Sequence, residues 1–192
     1  MKLTKKEIVF FVLLIAVTTV IKIVCAPNIA LSGTTGILAV GLFAGLNKKY
    51  SWQSSFLLPL VALLASNAII QLLFALNMFP FEGFYNRQIA EYALIVVITG
   101  MGLLFRKAGT AGIFITAILG PTVFFLASNY IAWYTSWQQF GYTHDTAGLL
   151  TCYTAGLPFY RNSVISTVIL LPSFIVAYHW IVDGKAALST AK

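Results

Sequence analysis

The sequence predicts an all-α, polytopic membrane protein with six transmembrane helices and one short additional helix near 146–158. Three observations support this prediction. Only 9% of the residues are charged, against roughly 25% in soluble domains. The mean hydropathy is +0.89. Apolar runs that approach the roughly 20 residues needed to cross a bilayer recur along the chain. We therefore expect residues 1–192 to form a single transmembrane domain in the lipid bilayer.

The apolar runs define the expected helices in order. The first run follows the basic start MKLTKK, and we interpret it as a membrane helix rather than a cleaved signal, because apolar segments continue along the chain. Turn-forming residues such as Pro27-Asn28 separate the runs. The predicted spans are 8–26, 30–46, 56–77, 89–105, 111–134 and 164–182.

The basic residues predict the orientation. Six spans that begin in the cytoplasm place nine Lys and Arg residues inside and three outside, which agrees with the positive-inside rule. The inner nine are Lys2, Lys5, Lys6, Lys48, Lys49, Arg106, Lys107, Lys185 and Lys192, and the outer three are Lys22, Arg87 and Arg161. We expect a multi-pass protein of the inner (plasma) membrane with both termini in the cytoplasm. No stripe of basic and aromatic residues is present, so the net charge of +7 does not predict nucleic-acid binding.

The segment 146–160, TAGLLTCYTAGLPFY, is harder to assign. Its small residues recur four apart and would form a smooth helix face that permits close packing. We expect Pro158 to end this helix, which is then too short to span. The prediction is a short re-entrant or peripheral helix in the outer half of the bundle. A seventh span is the alternative, with eight basic residues inside and four outside.

A nine-residue pattern occurs twice. The stretches PLVALLASN at 59–67 and PTVFFLASN at 121–129 agree at six positions. An apolar helix and a basic turn precede each of them. This similarity suggests a parallel repeat of two helix hairpins, 30–77 and 89–134. Parallel repeats of this kind occur in transporters, with substrate sites at the repeat interface.

Each copy of the pattern ends in a Ser-Asn pair past the midpoint of its span. An amide in hydrocarbon costs free energy unless its hydrogen bonds are satisfied, so we expect Asn67 and Asn129 to face the bundle interior or a water-filled cavity. One interpretation is that both amides bond neighbouring helices and only stabilise the bundle. The other is that they bind a ligand.

A polar and aromatic rim on the expected outer side favours the ligand interpretation. Asn67 and Asn129 would bind polar edges of a solute, Tyr130 and Trp133 would stack on its apolar parts, and Arg161 would offset negative charge. The candidate solute-binding residues are Asn67, Ser128, Asn129, Tyr130, Trp133, His144, Arg161 and Asn162. Nearby, Lys22 has two possible roles, snorkelling outward or pairing with Glu91.

The sequence contains no pattern that predicts an enzyme, a cofactor or a metal site. It lacks the HExxH, GxSxG and P-loop motifs. Its two histidines, His144 and His179, are expected on opposite sides of the membrane, and its two cysteines are too few for a cysteine-only metal site. Catalysis at the outer face by His144, Asp145 and Arg161 is the weakest of the functions considered.

Three stretches resemble a family of bacterial membrane proteins of unknown function. They are PNIALSGTTGILAVGLFAG at 27–45, the Ser128-Asn129 pair, and GLLTCYTAGLPFYRNS at 148–163. That family is similar to the S-components of energy-coupling-factor vitamin transporters. The resemblance implies six helices and a small molecule bound near the outer face. This chain departs from the S-component pattern, because its first span holds Ala16 without the AxxxA element used for docking to a coupling subunit.

The leading hypothesis from the sequence is a membrane subunit that binds a small-molecule solute from the extracytoplasmic side. Because the chain has no ATPase motif, uptake would require a coupling or ATPase module or a rocking motion of the bundle. The alternative is a structural subunit of a larger membrane complex. In that case the glycine-rich faces, including the GxxxG element Gly41–Gly45, could contact either partner proteins or the chain's own helices.

Overall fold

The computed structural model describes residues 4–85 and 88–184, and this part of the chain is helical with no strand. The expected inner residues Lys2, Lys185 and Lys192 and the expected outer residue Arg87 lie outside the described residues. The helices are α1 (Lys5–Cys25), α2 (Ile37–Leu46), α3 (Trp52–Ala75), α4 (Gln88–Phe105), α5 (Gly109–Ser136) and α6 (Thr146–Tyr178), and a π-helical turn at His179–Asp183 follows α6.

Five of the six helices are long and apolar enough to cross a bilayer, as a multi-pass membrane protein requires. The exception is α2, which has ten residues and is about 15 Å long. The prediction of a second span at 30–46 was therefore too long at its start, because residues 30–36 are not helical.

The short helix α2 forms the centre of the bundle. Every residue from Ile37 to Gly45 is buried. A helix that is apolar on all sides is stable only when other helices surround it. Here α3, α4, α5 and α6 all pack against it. The outer surfaces of the other helices expose large apolar side chains, as in Val12, Leu64 and Ile118, in keeping with contact with lipid.

Close packing of α2 depends on the GxxxG element. A Cβ atom on Gly45 would lie 2.3 Å from the carbonyl oxygen of Thr99, and one on Gly102 would lie 2.8 Å from the carbonyl oxygen of Leu42. The backbones of α2 and α4 therefore cross in contact. The element Gly41–Gly45 therefore contacts the chain's own helices, which is one of the two possibilities that the sequence left open.

The segment 146–158 does not form a separate helix, so this prediction was wrong. It is the first part of α6, which runs without interruption for 33 residues, or about 50 Å. Pro158 lies inside the helix and does not end it. A proline removes one backbone hydrogen bond, and packing compensates for this loss in membrane helices. Here α6 packs along α5 over an extensive contact.

The start of α6 is determined by Asp145. Its side chain accepts a hydrogen bond from the backbone N–H of Gly148 at 2.8 Å and another from the hydroxyl of Thr143 at 2.6 Å. These bonds lower the pKa of the Asp145 carboxyl, with the Thr143 hydroxyl as the main cause. The cap satisfies a free N–H at the helix end, so the structure gives Asp145 a role in helix initiation.

Polar contacts hold together one end of the bundle, which we name the basic end, where α2, α4 and α6 finish and α3 and α5 begin. The guanidinium of Arg106 donates to the carbonyl oxygens of Gly45 (2.7 Å) and Tyr50 (3.2 Å) and to the hydroxyl of Ser55 (2.8 Å). Lys49 forms a salt bridge with Asp183. The N-terminus of α1 lies at the same end, because the Tyr178 hydroxyl donates to Glu7 at 3.3 Å.

The proposed repeat of hairpins 30–77 and 89–134 remains a prediction. Both copies place a proline inside their second helix, Pro59 in α3 and Pro121 in α5. The first helices differ, since α2 has ten residues and α4 has eighteen.

Candidate functional site

A non-helical stretch at residues 26–36, here named the 26–36 segment, returns the chain from the end of α1 into the bundle. Some of its carbonyl oxygens accept backbone bonds in turns or at the start of α2, and α6 supplies side-chain donors to others. The amide of Asn162 donates to Ala30 and Ser32, each at 2.9 Å, and the hydroxyl of Ser166 donates to Thr35 at 3.3 Å. Non-helical backbone inside a membrane protein is tolerated where protein groups satisfy it or where it lines a cavity.

The fit between this segment and α6 requires a glycine. Gly33 has a φ of +87°, and a Cβ atom there would lie 2.4 Å from the carbonyl oxygen of Phe159. The segment therefore lies directly on the α6 backbone, at the level of the Pro158 turn. This contact and the Asn162 bonds both attach the segment to α6.

Behind the 26–36 segment is a cavity of about 230 Å³, which we name the central cavity. Five helices (α1, α2, α4, α5 and α6) and the segment contribute to it. Its walls are largely apolar or aromatic, and the polar side chains among its lining residues come from several helices. The polar lining side chains are Lys22, Ser32, Thr34, Thr35, Glu91, Ser128, Asn129, Tyr160 and Ser163. A largely apolar surface on which polar groups converge is typical of small-molecule sites.

Ser128 and Asn129 are the two predicted site residues that line the central cavity. The Asn129 amide nitrogen donates to Phe125 in its own helix at 2.9 Å. Its Oδ1 faces α6, because a Cβ on Gly156 would lie 2.6 Å from it and the Cys152 thiol lies at 3.9 Å. The absence of a side chain at Gly156 makes room for the Asn129 amide.

Ser163 belongs to the lining of the same cavity. The residue is 8% exposed, and its Oγ is buried and has no hydrogen-bond partner among the described residues. A buried hydroxyl without a partner costs about 1–3 kcal/mol. This cost is recovered if a ligand or a water molecule in the cavity bonds to Ser163.

Asn67 lies beside the central cavity without lining it. It is completely buried, and its Oδ1 accepts a hydrogen bond from the ammonium of Lys22 at 2.6 Å. Lys22 lines the cavity and therefore points inward rather than snorkelling. The Asn67 amide nitrogen has no partner in the described chain. The two Asn residues of the repeated pattern thus have different surroundings.

Glu91 also lines the central cavity and adds an acidic group, whereas Lys22 adds a basic one. Its carboxylate accepts a hydrogen bond from the hydroxyl of Tyr85. Glu91 and Ser128 also line a neighbouring cavity of about 280 Å³. Lys22 likewise borders a third cavity, of about 550 Å³, which is lined by residues of α1, of α3 and of the loop that follows α3. Lys22 and Glu91 therefore lie where the central cavity adjoins its neighbours.

Three predicted residues form an aromatic cluster away from the central cavity. The His144 ring stacks on Trp133 with 4.7 Å between ring centroids, and on Trp137 with 5.3 Å. Tyr130 contacts Trp133 at 5.8 Å. The indole N–H of Trp133 donates to the carbonyl oxygen of Thr143 at 3.0 Å. These contacts fold the 137–145 loop onto the end of α5.

The remaining two predicted residues, Arg161 and Asn162, are adjacent but lie in different environments. Asn162 is 8% exposed and its amide nitrogen is used by the 26–36 segment. Arg161 is exposed and is not among the residues that line the central cavity. A role for either in solute binding remains a prediction.

Sequence reasoning missed several residues of the cavity. Ser163 and the backbone of Ser32–Thr35 were not among the candidates, although both line it. A signal was present in the stretch SGTTG at 32–36, because two glycines and three hydroxyl residues within an apolar run are typical of non-helical backbone. Ser163 had no such signal, since only the packing of α6 turns it inward.

The described residues contain no group of three or more His, Cys, Asp or Glu side chains arranged to hold a metal ion. Cys25 and Cys152 are both free thiols. The side chains that line the central cavity offer hydrogen bonds, aromatic contact and charge.

Comparisons with known proteins assign the chain to a family but not to a function. No curated protein matches the chain. No solved structure matches it either. One family model, described as a family of unknown function (DUF6580), matches residues 2–189. This match covers nearly all of the 192 residues, and the chain therefore belongs to the family of unknown function DUF6580.

Proposed function

We propose that this protein binds a small solute in the central cavity, as the solute-recognition subunit of a membrane transport system. The observation that supports this most is the combination of non-helical backbone at 26–36 with Ser163, whose buried hydroxyl has no partner, in the lining of one cavity. Irregular backbone inside helical membrane proteins is a recurring feature of transporter binding sites.

The cavity favours a compact ligand that has both an apolar part and hydrogen-bonding groups. A volume of about 230 Å³ is below the range of about 300–1,000 Å³ that accommodates drug-sized molecules. Phe125 and Tyr160 form an aromatic wall, with 4.8 Å between their ring centroids. Ser128, Asn129 and Ser163 bond the polar edges of the solute, and Lys22 and Glu91 select its charge.

The orientation follows from the positive-inside rule. With both termini in the cytoplasm of a bacterial cell, the central cavity opens toward the outside of the plasma membrane. Energy for uptake comes from a separate coupling or ATPase module, in the manner of the S-components of energy-coupling-factor transporters. The missing AxxxA element in α1 means that docking uses a different helix surface.

The decisive experiment identifies what the purified protein carries. The full chain is extracted in mild detergent, and small molecules released on denaturation are identified by mass spectrometry. Ser128→Trp fills the central cavity, whereas Thr135→Trp places the same bulk at an exposed position on the same helix. We expect one solute in wild type and Thr135→Trp and its loss in Ser128→Trp.

Two outcomes contradict the proposal. Equal recovery of every small molecule from both tryptophan variants means that nothing specific occupies the cavity. A wild-type chain that carries no solute and is extracted only in a fixed-stoichiometry assembly with other membrane proteins supports the structural-subunit alternative instead.

Once a solute is identified, two further variants separate the cavity from the rim. Asn129→Ala should weaken binding about tenfold, because it removes one hydrogen bond worth about 1.4 kcal/mol. Arg161→Ala should leave affinity within about threefold if only cavity residues bind the solute. A large loss of solute affinity in Arg161→Ala would instead support the site at the outer rim that the sequence predicts.

A further inference from the structure

Another cavity, of about 430 Å³, lies at the basic end and is separate from the central cavity. Its polar lining includes Lys48, Lys49, Arg106 and His179, and its apolar lining includes Phe43 and Ile113. None of these residues lines the central cavity, where the solute is proposed to bind.

Positive charge at this cavity exceeds the negative charge available. The chain has five acidic residues. Asp183 is used by Lys49 and His179, and Glu7 by the Thr4 cap and the Tyr178 hydroxyl. Arg106 bonds only neutral acceptors among the described residues, through three of its five N–H groups. Two N–H donors of its guanidinium and the charge of Lys48 therefore remain available to an anion.

The start of α5 adds a second attraction for an anion. Gly109, the first residue of this helix, lines the cavity, and no side chain caps the helix at Ala108. The free N–H groups and the positive end of the helix dipole at an N-terminus favour phosphate and other anions. α5 has 28 residues, so its dipole is fully developed.

We propose that this cavity binds a phosphate-bearing anion, with the phosphoryl oxygens between Arg106, Lys48 and the start of α5. The apolar lining accepts a hydrocarbon portion of the ligand. An anionic phospholipid headgroup and a soluble phosphate ester share this chemistry. Basic pockets between transmembrane helices commonly hold such headgroups.

The test measures the thermal unfolding midpoint of the full chain in detergent as each probe is titrated. The probes are dioctanoyl phosphatidylglycerol, dioctanoyl phosphatidylcholine (whose phosphate is balanced by choline) and glycerol 3-phosphate. A ligand that binds the folded state stabilises it by RT ln(1 + L/Kd), where L is the free ligand concentration, so the rise of the midpoint with ligand concentration yields an apparent Kd. Stabilisation by phosphatidylglycerol alone identifies a lipid site. Stabilisation by glycerol 3-phosphate identifies a site for soluble phosphate esters.

Matched variants separate a specific site from general attraction to positive charge. Lys48→Glu changes a lining residue, whereas Lys107→Glu makes the same change at an exposed neighbour that does not line the cavity. We expect Lys48→Glu to weaken the anion at least tenfold and Lys107→Glu to change it less than threefold. Ile113→Trp, which fills the cavity without altering charge, should also abolish the effect.

Three results overturn the proposal. The first is that neither anionic probe raises the midpoint. The second is that phosphatidylcholine acts as strongly as phosphatidylglycerol. The third is that Lys48→Glu and Lys107→Glu weaken the anion equally. The midpoint of each variant without probe shows whether it is folded, so a folding defect is not mistaken for lost binding.

Discussion

The ammonium of Lys22 donates to Oδ1 of Asn67 across 2.6 Å and joins α1 to α3 inside the bundle. The pair places a positive charge at the edge of the central cavity. It also explains how a lysine is accommodated within a membrane helix, because a buried ammonium needs an acceptor to offset its desolvation.

Asn67→Ala should destabilise the protein by about 2 kcal/mol, since it leaves the ammonium of Lys22 without its acceptor. Thermal or chemical unfolding in detergent measures this loss. Asn67→Asp keeps an acceptor and should retain at least wild-type stability.

A double-mutant cycle with Lys22→Met tests whether the effect belongs to the pair. Once the charge is removed, Asn67→Ala should cost about 1–2 kcal/mol less than it does in wild type. An identical cost in both backgrounds would show that Asn67 acts without Lys22.

Gly33→Ala should detach the 26–36 segment from α6, because the new Cβ would lie 2.4 Å from the carbonyl oxygen of Phe159. The control is Gly141→Ala, which has a φ of +70° and no atom within 4 Å of a Cβ. Backbone strain alone costs about 1–2 kcal/mol at such positions. We expect Gly33→Ala to cost clearly more than Gly141→Ala in unfolding experiments, and equal costs would mean that the contact with Phe159 does not matter.

Gly45→Ala should lower stability, whereas Gly100→Ala should leave it unchanged or raise it. The Cβ of the first would meet the α4 backbone at 2.3 Å, whereas that of the second meets nothing within 4 Å. Gly100 lies inside α4, where alanine is favoured over glycine by about 1 kcal/mol. A lower unfolding temperature for Gly45→Ala and an unchanged or higher one for Gly100→Ala would confirm the crossing of α2 and α4.

Acid should weaken the start of α6 through Asp145. The folded pKa of this carboxyl is lowered by its bonds to Thr143 and Gly148, so the ionised cap stabilises the fold above the unfolded pKa of about 3.9. This stabilisation is lost as the pH falls through the lower, folded pKa.

Asp145→Asn provides the matched control, because asparagine also caps helices but does not titrate. Between pH 6 and pH 2, the unfolding temperature of wild type should fall further than that of Asp145→Asn. Parallel curves for the two proteins would assign the acid sensitivity to other carboxyls.

The sequence was sufficient to predict the class of protein and most helix positions. Low charge and long apolar runs require a bilayer as solvent, and this requirement depends on composition alone. The predicted spans 89–105 and 111–134 lie close to the observed α4 (Gln88–Phe105) and α5 (Gly109–Ser136), because the turn between them contains charged and glycine residues that interrupt an otherwise apolar stretch.

The tertiary structure alone decided how the backbone before α2 is hydrogen-bonded. The stretch SGTTG at 32–36 favours non-helical backbone, but a local pattern does not reveal which donors its carbonyls will meet. Asn162 donates to Ala30 and Ser166 donates to Thr35, and each pair is more than 130 residues apart in the chain. Long-range hydrogen bonds of this kind replace the helical ones and allow the chain to bend.

The same reasoning explains the two Ser-Asn pairs. In the sequence Asn67 and Asn129 are equivalent, because both must leave lipid and find polar partners. In the fold Asn67 bonds Lys22, and Asn129 lines the central cavity beside Gly156. A sequence determines that a buried amide needs a partner. The packing of α1 against α3, and of α5 against α6, determines which partner it has.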